Sequence, residues 1–155
     1  MSRVLAKLLL LLVAGVALTE LVSNSAEARG GRYRQYYSAW NYSSHHGYHY
    51  RSYHYLPTPY ATHYQYHYVI CYPTQPQYYY FYNPHTGVYW GRCSSDPVQR
   101  PGYSLLAPAD RKGTLAEIPE SAFGPLAALP AVPESQDGER LELPPADLLV
   151  PGTGK

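Results

Sequence analysis

The chain of 155 residues is short of the side chains that ordinarily build a core, with two Cys, two Phe, two Trp and one Met. Of its Ile, Leu, Val and Phe residues, 12 fall between positions 4 and 22 and only 19 serve the rest of the chain. Beyond residue 28 that is roughly 15% strongly apolar, below the roughly 20% at which an aliphatic core becomes doubtful. Charge of one sign is missing as well: residues 29–95 hold Arg29, Arg32, Arg34, Arg51 and Arg92 but no Asp, Glu or Lys. Without a carboxylate to orient a His or share a proton, that stretch cannot assemble an acid/base pair by itself. There is no Gly-x-Ser-x-Gly elbow, no metalloprotease helix and no dinucleotide loop. Cys71 and Cys93 are too far apart for a redox Cys-x-x-Cys. Gly152-Thr153-Gly154-Lys155 lacks the first glycine and the following hydroxyl of a phosphate loop. The sequence predicts neither an enzyme nor a cofactor, and a core too small to enclose a substrate pocket of ordinary size.

What is present begins with a leader. Arg3 and Lys7 precede an apolar run over residues 8–18, and Ala26 and Ala28 supply the small residues that a signal peptidase inspects. The run meets Thr19 and Glu20 before it reaches the roughly 20 residues a spanning helix needs. The expectation is a helical signal peptide over 1–28, cleaved after Ala28, and a secreted, periplasmic or surface protein with no membrane attachment after cleavage. In such a compartment disulfides persist. From residue 96 onward nine acids face five bases, so the two halves of the exported chain are opposite in charge and suited to attract one another. Five arginines on an exported chain do not suit a nucleic-acid partner.

The dominant residue is Tyr, 19 in all, with 18 between positions 33 and 89. Residues 29–63 read as a low-complexity Tyr/His/Arg segment. Tyr48/Tyr50, Tyr53/Tyr55 and Tyr64/Tyr66/Tyr68 alternate with the period of a strand. Pro57 and Pro59 interrupt the tract. The best-specified element is a three-stranded antiparallel meander over 64–93, with strands at 64–72, 77–82 and 88–93. Asn83-Pro84-His85-Thr86-Gly87 carries the turn chemistry of a hairpin: Asn to open it, Pro with its fixed φ, Gly where a left-handed residue returns the chain to the ladder. Cys71 and Cys93 fall on the outer strands, and a bond between them would stabilise by roughly 3 kcal/mol on the chain-entropy model. Tyr64, Tyr66, Tyr68, Tyr78, Tyr80, Tyr82, Tyr89 and Trp90 are the candidate aromatic surface.

Tyr80-Phe81-Tyr82-Asn83, Thr86 and Trp90 resemble the second hairpin of a WW domain. The spacing from Asn83 to Trp90 is one residue short, and Cys93 stands where that family ends in Pro, so the likeness is one of turn physics. The leader, the segment over 78–93 and the Pro-Glu-Ser tail together resemble a group of small uncharacterised secreted proteins of planctomycete-type bacteria, and that resemblance implies no known activity.

From residue 101 nine prolines occur and Tyr103 is the last tyrosine. Ile118-Pro119-Glu120-Ser121 recurs as Val132-Pro133-Glu134-Ser135. Residues 94–155 therefore read as a Pro-rich, acidic, disordered tail: either an extended partner-binding or spacer segment with Ile118, Phe123, Leu126, Val132 and Leu143 as apolar anchors, or a solvated tail that drapes over the Tyr sheet. The predicted fold class is mostly irregular and low-complexity around a small disulfide-bonded β meander. Three functions fit. The first is a non-catalytic structural or adhesive protein of the cell envelope or matrix, self-associating or holding cell-wall polymer through Tyr. The second is extracytoplasmic metal binding through His45, His46, His49, His54, His63 and His67, with His45, His46 and His49 as three imidazoles within five residues suited to copper, zinc or nickel. The third is a cell-wall carbohydrate module built on Tyr and Trp90. Seven His would charge as pH falls through about 6.5 and strengthen attachment to anionic polymer.

Overall fold

A computed structural model describes residues 33–99 and 102–145. The expected cleavage residues, Ala26 and Ala28, lie outside them. Seven antiparallel strands form one sheet: β1 (Gln35–Tyr37), β2 (Asn41–Ser43), β3 (Tyr48–Tyr55), β4 (Gln65–Cys71), β5 (Tyr78–Asn83), β6 (Val88–Ser94) and β7 (Tyr103–Leu105). The order is β1-β3-β4-β5-β6-β7, with β2 paired to the other end of the β3 edge that β1 occupies. The meander expected over 64–93 is its centre. Residues 33–55 of the low-complexity segment before it join the sheet as well, because alternating Tyr and His give β3 two packable faces and a seven-residue register with β4.

Two hairpins share one turn. Asn83 and Val88 pair across the β5–β6 turn, Gly87 donates its N–H to the Asn83 carbonyl at 2.8 Å, and Gly87 takes φ +70°. Asn83 Oδ1 accepts from the His85 N–H at 2.9 Å, so Asn83 and Gly87 act as the sequence requires. At the β2–β3 turn, Ser43 and Tyr48 pair, the Gly47 N–H reaches the Ser43 carbonyl at 2.7 Å, and Gly47 takes φ +69°. Ser43-Ser44-His45-His46-Gly47 thus repeats the design of Asn83-Pro84-His85-Thr86-Gly87.

Strand alternation sorts the side chains into two cores. On one face Tyr53, Tyr55, Val69, Cys71, Tyr79, Phe81, Cys93 and Tyr103 cluster, with Arg51 buried beside them and its guanidinium carbon 5.0 Å from the Tyr37 ring centre. On the other face Ile70, Tyr80 and Tyr89 are buried. Neither face has enough aliphatic bulk of its own, and the tail supplies it. Leu106, Ile118 and Phe123 cap the second face, whereas Val132 and Leu141 complete the first. The repeated motif therefore has a structural role: Ile118 enters one core and Val132, at the matching position, enters the other. Between them the chain passes the β7 edge, where Tyr103 and Ala127 exchange both backbone hydrogen bonds at 3.0 Å. At the opposite edge the buried Gln35 amide donates to the Arg140 carbonyl at 2.8 Å and accepts from the Glu142 N–H at 2.9 Å.

Opposite charge aligns the wrap. Arg34 makes a bidentate pair with Asp137 at 2.8 and 3.0 Å, and Arg92 makes one with Glu120. Each cation comes from the carboxylate-free half and each anion from the tail. The disordered tail expected from its proline content is thus corrected for residues 102–145. Proline blocks regular helix and ladder there, yet leaves an extended chain that deposits one aliphatic side chain at a time.

The disulfide is corrected too. Cys71 and Cys93 are both buried thiols with no bond between them. Cys71 stands on β4 and Cys93 on β6, and Tyr79 of β5 is the register partner of Cys93. Two ladder steps separate α-carbons by about 10 Å, beyond the roughly 7 Å limit for a disulfide. Burial also pushes the Cys71 thiol up to about 11. Iodoacetamide at pH 8 is therefore expected to leave the native protein unlabelled and to alkylate two thiols after unfolding in guanidinium. Linked 71 and 93 peptides from native material would contradict this placement.

Candidate functional site

The aromatic residues proposed from sequence divide between core and surface. Tyr80 and Tyr89 are buried, 2% and 5% exposed, and belong to the second core. The Tyr89 hydroxyl is held by the Tyr72 hydroxyl at 2.5 Å. Tyr78 and Tyr82 are half-buried at the rim of that core, and the Arg92 guanidinium lies 3.8 Å from the Tyr78 ring centre. Tyr64, Tyr66 and Tyr68 remain half-exposed.

These last three join residues of β1 and β3 in a band of rings that the tail leaves partly open. Tyr36 stacks on His54 at 4.6 Å, and His54 meets Tyr66 at 5.8 Å. Tyr66 meets Tyr68, and Tyr68 meets Tyr50, each at 5.5 Å. Tyr50 continues to Tyr48 at 6.3 Å, and Tyr48 stacks on His46 at 5.3 Å. Tyr64 flanks the band, edge-on to Tyr36 at 5.0 Å. Such edge and offset contacts are the geometries aromatic quadrupoles prefer, so each ring fixes the next. Partial burial raises the phenol pKa of Tyr48 and Tyr68 and lowers the imidazole pKa of His54, which favours the neutral form of those three rings.

Tyr36, Tyr48, Tyr50 and His54 lie outside the aromatic surface named from sequence. Phase is the signal that finds them. Tyr48, Tyr50 and His54 are even-numbered on β3 and share a face, whereas Tyr53 and Tyr55 lie in the opposite core.

The three metal candidates do not converge. His45 and His46 sit in the β2–β3 turn with ring centres 4.6 Å apart. His46 stacks on Tyr48, while His49 pairs with Tyr42 at 4.8 Å on the other face. Among the described residues no group of three His, Cys, Asp or Glu side chains is placed to hold a metal ion.

A cavity of about 580 Å³ opens on the face opposite the band, between the β4–β6 surface and the tail. The expectation of a core too small for a pocket is thus corrected, since the tail provides the missing wall. His67 and Trp90 line it from the sheet, and Arg111, Glu134 and Ser135 from the tail. Trp90 is brought there by a bulge: Phe81 pairs with Gly91 and Tyr82 with Tyr89, so Trp90 is the extra residue in β6. His67 is wholly buried, and desolvation with help from His85 and Arg111 lowers its pKa to about 3, keeping the imidazole neutral. No protein-family model, curated protein or solved structure matches this chain, so its functional reading rests on the residues and geometry described above.

Proposed function

We propose that the protein is a secreted, non-catalytic adhesive or structural component of the cell envelope or matrix, attached to envelope polymer through the aromatic band. The observation that carries this reading is the line of mutually packed rings from Tyr36 to His46 along β1, β3 and β4, all of them half-exposed or exposed. Rings held by their neighbours lose little entropy on stacking against a polymer, and Tyr keeps a hydroxyl for the wet side of the contact. The leader supports export.

Replacement of Tyr36, Tyr64 and Tyr66 together by Ser tests the reading, because these three are half-exposed or exposed and neither belong to the buried clusters nor pack against them. The wild type should fractionate with the insoluble envelope of its host. The variant should keep its circular dichroism spectrum and move to the soluble fraction. Unchanged distribution of a folded variant would refute attachment through the band.

A further inference from the structure

Strand pairing gathers three tyrosines of the band around a hollow. Tyr48 and Tyr50 share one face of β3, and Tyr68 of β4 stands diagonally beside Tyr50, whose direct register partner is Ile70. On the other side of β3, Ser43 of β2 pairs with Tyr48, and its small side chain leaves the space between the rings open. The recess has a volume of about 200 Å³ and is lined by Ser43, His46, Tyr48, Tyr50 and Tyr68. All five are half-exposed or exposed, so a ligand can enter from solvent.

The rings stand as walls. Tyr48 and Tyr50 are 6.3 Å apart with planes at 88°, and Tyr50 and Tyr68 are 5.5 Å apart at 81°. Two perpendicular faces that each lie about 4.5 Å from one cation have centres about 6.4 Å apart, and a ring face attracts a cation within about 6 Å. No carboxylate lines the recess, and residues 29–95 contain none. A primary ammonium, with three N–H donors to satisfy, is poorly served there. A flat sugar or aromatic ring can lie on only one of the perpendicular walls. A quaternary ammonium has no N–H, holds its water weakly and spreads its charge over methyl groups that reach several faces at once.

We propose that this recess is an aromatic cage for a quaternary ammonium group of the choline type, held by the faces of Tyr48, Tyr50 and Tyr68. Its volume lies below the roughly 300–1,000 Å³ of sites that enclose a whole small molecule, so it takes the headgroup and leaves the rest of the ligand in solvent. The role of the cage in attachment rests on the adhesive reading above, which it deepens by naming the substituent that the band recognises. Binding of the headgroup itself does not depend on that reading.

The test titrates the full-length protein with choline, with its uncharged carbon isostere 3,3-dimethylbutan-1-ol, and with its primary ammonium analogue ethanolamine. Choline should bind roughly tenfold more tightly than either. Its N-methyl proton resonance should move upfield, the shift that a ring face and not a ring edge produces. Tyr50→Phe keeps the face and should bind as the wild type does, whereas Tyr50→Leu keeps apolar bulk without the face and should bind roughly fivefold more weakly. Ser43→Leu fills the recess from an edge strand without altering a ring, so it should keep its circular dichroism spectrum and lose binding even if Tyr50→Leu does not fold. Co-sedimentation with vesicles of phosphatidylcholine but not of phosphatidylglycerol would assign the headgroup to a lipid; choline binding without co-sedimentation would assign it to a solute or a polymer substituent. Tyr36, Tyr64 and Tyr66 lie outside the recess, so their Ser variant should bind choline normally whether or not it leaves the envelope. Equal affinity for the uncharged isostere, no upfield shift of the methyl resonance, or wild-type affinity in folded Ser43→Leu would each overturn the proposal.

Discussion

Acidification from pH 7 to pH 4 will destabilise this protein, and His67 will be the main cause. The folded state holds its imidazole neutral with a pKa of about 3, whereas the unfolded chain binds that proton near 6.5. Between those values the unfolded state carries more protons, so stability falls as pH falls, beginning near 6.5 and levelling near 3. At about 1.4 kcal/mol per pH unit, the loss is about 2 kcal/mol by pH 5 and about 3 kcal/mol by pH 4. That is a large part of the 5–15 kcal/mol typical of a small domain. Asp137 and Glu120 act in the same direction at lower pH, because Arg34 and Arg92 hold their carboxyl groups below the usual range. Urea melts at pH 7, 6, 5 and 4, read by circular dichroism, should show the midpoint falling at each step. His67→Phe should flatten the dependence between pH 6.5 and 4. A wild-type midpoint constant over that interval would show that His67 is solvated or already charged. The expectation from composition, that all seven His charge together and merely strengthen adhesion, fails at the one His that the sheet buries.

Gly91→Ala will be the most damaging small substitution in the sheet, at about 3 kcal/mol or more. A β-carbon there would stand 2.4 Å from Tyr103 Cε1 and 2.5 Å from the Ser104 carbonyl oxygen. Tyr103 is 1% exposed and packs on Phe81 at 5.2 Å and Trp90 at 5.6 Å, so it has nowhere to move without opening the first core. Gly47→Ala is the contrast. It adds a β-carbon with nothing within 4 Å but asks Ala to hold φ +69°, which costs about 1 kcal/mol. Melting temperatures should fall far more for Gly91→Ala than for Gly47→Ala. The reverse order would mean that backbone conformation, not the packing of Tyr103 across β6, decides the cost.

Sequence by itself determined what depends on neighbours along the chain. The alternation of Tyr, His, Val and Ile predicts β4, β5 and β6, because a period of two is a local property of extended backbone. Asn83 and Gly87 predict their turn for the same reason, and Ser43 to Gly47 spell the same turn in residues that are easier to overlook. The aromatic band was half legible: Tyr64, Tyr66 and Tyr68 stood out, while Tyr36 and His54 needed the register of β1 on β3. Only the tertiary structure decided the rest. Cys71 and Cys93 look like a disulfide pair until β5 is placed between them, two ladder steps being too wide for the bond. Residues 102–145 have no periodicity because each anchor acts alone. Ile118 and Val132 gain their energy from opposite faces of a sheet built by a distant part of the chain, and Glu120 and Asp137 from arginines 28 and 103 residues away. The cavity at His67 and Trp90 exists only where that wrap closes over the bulge of β6, so no local pattern could announce it.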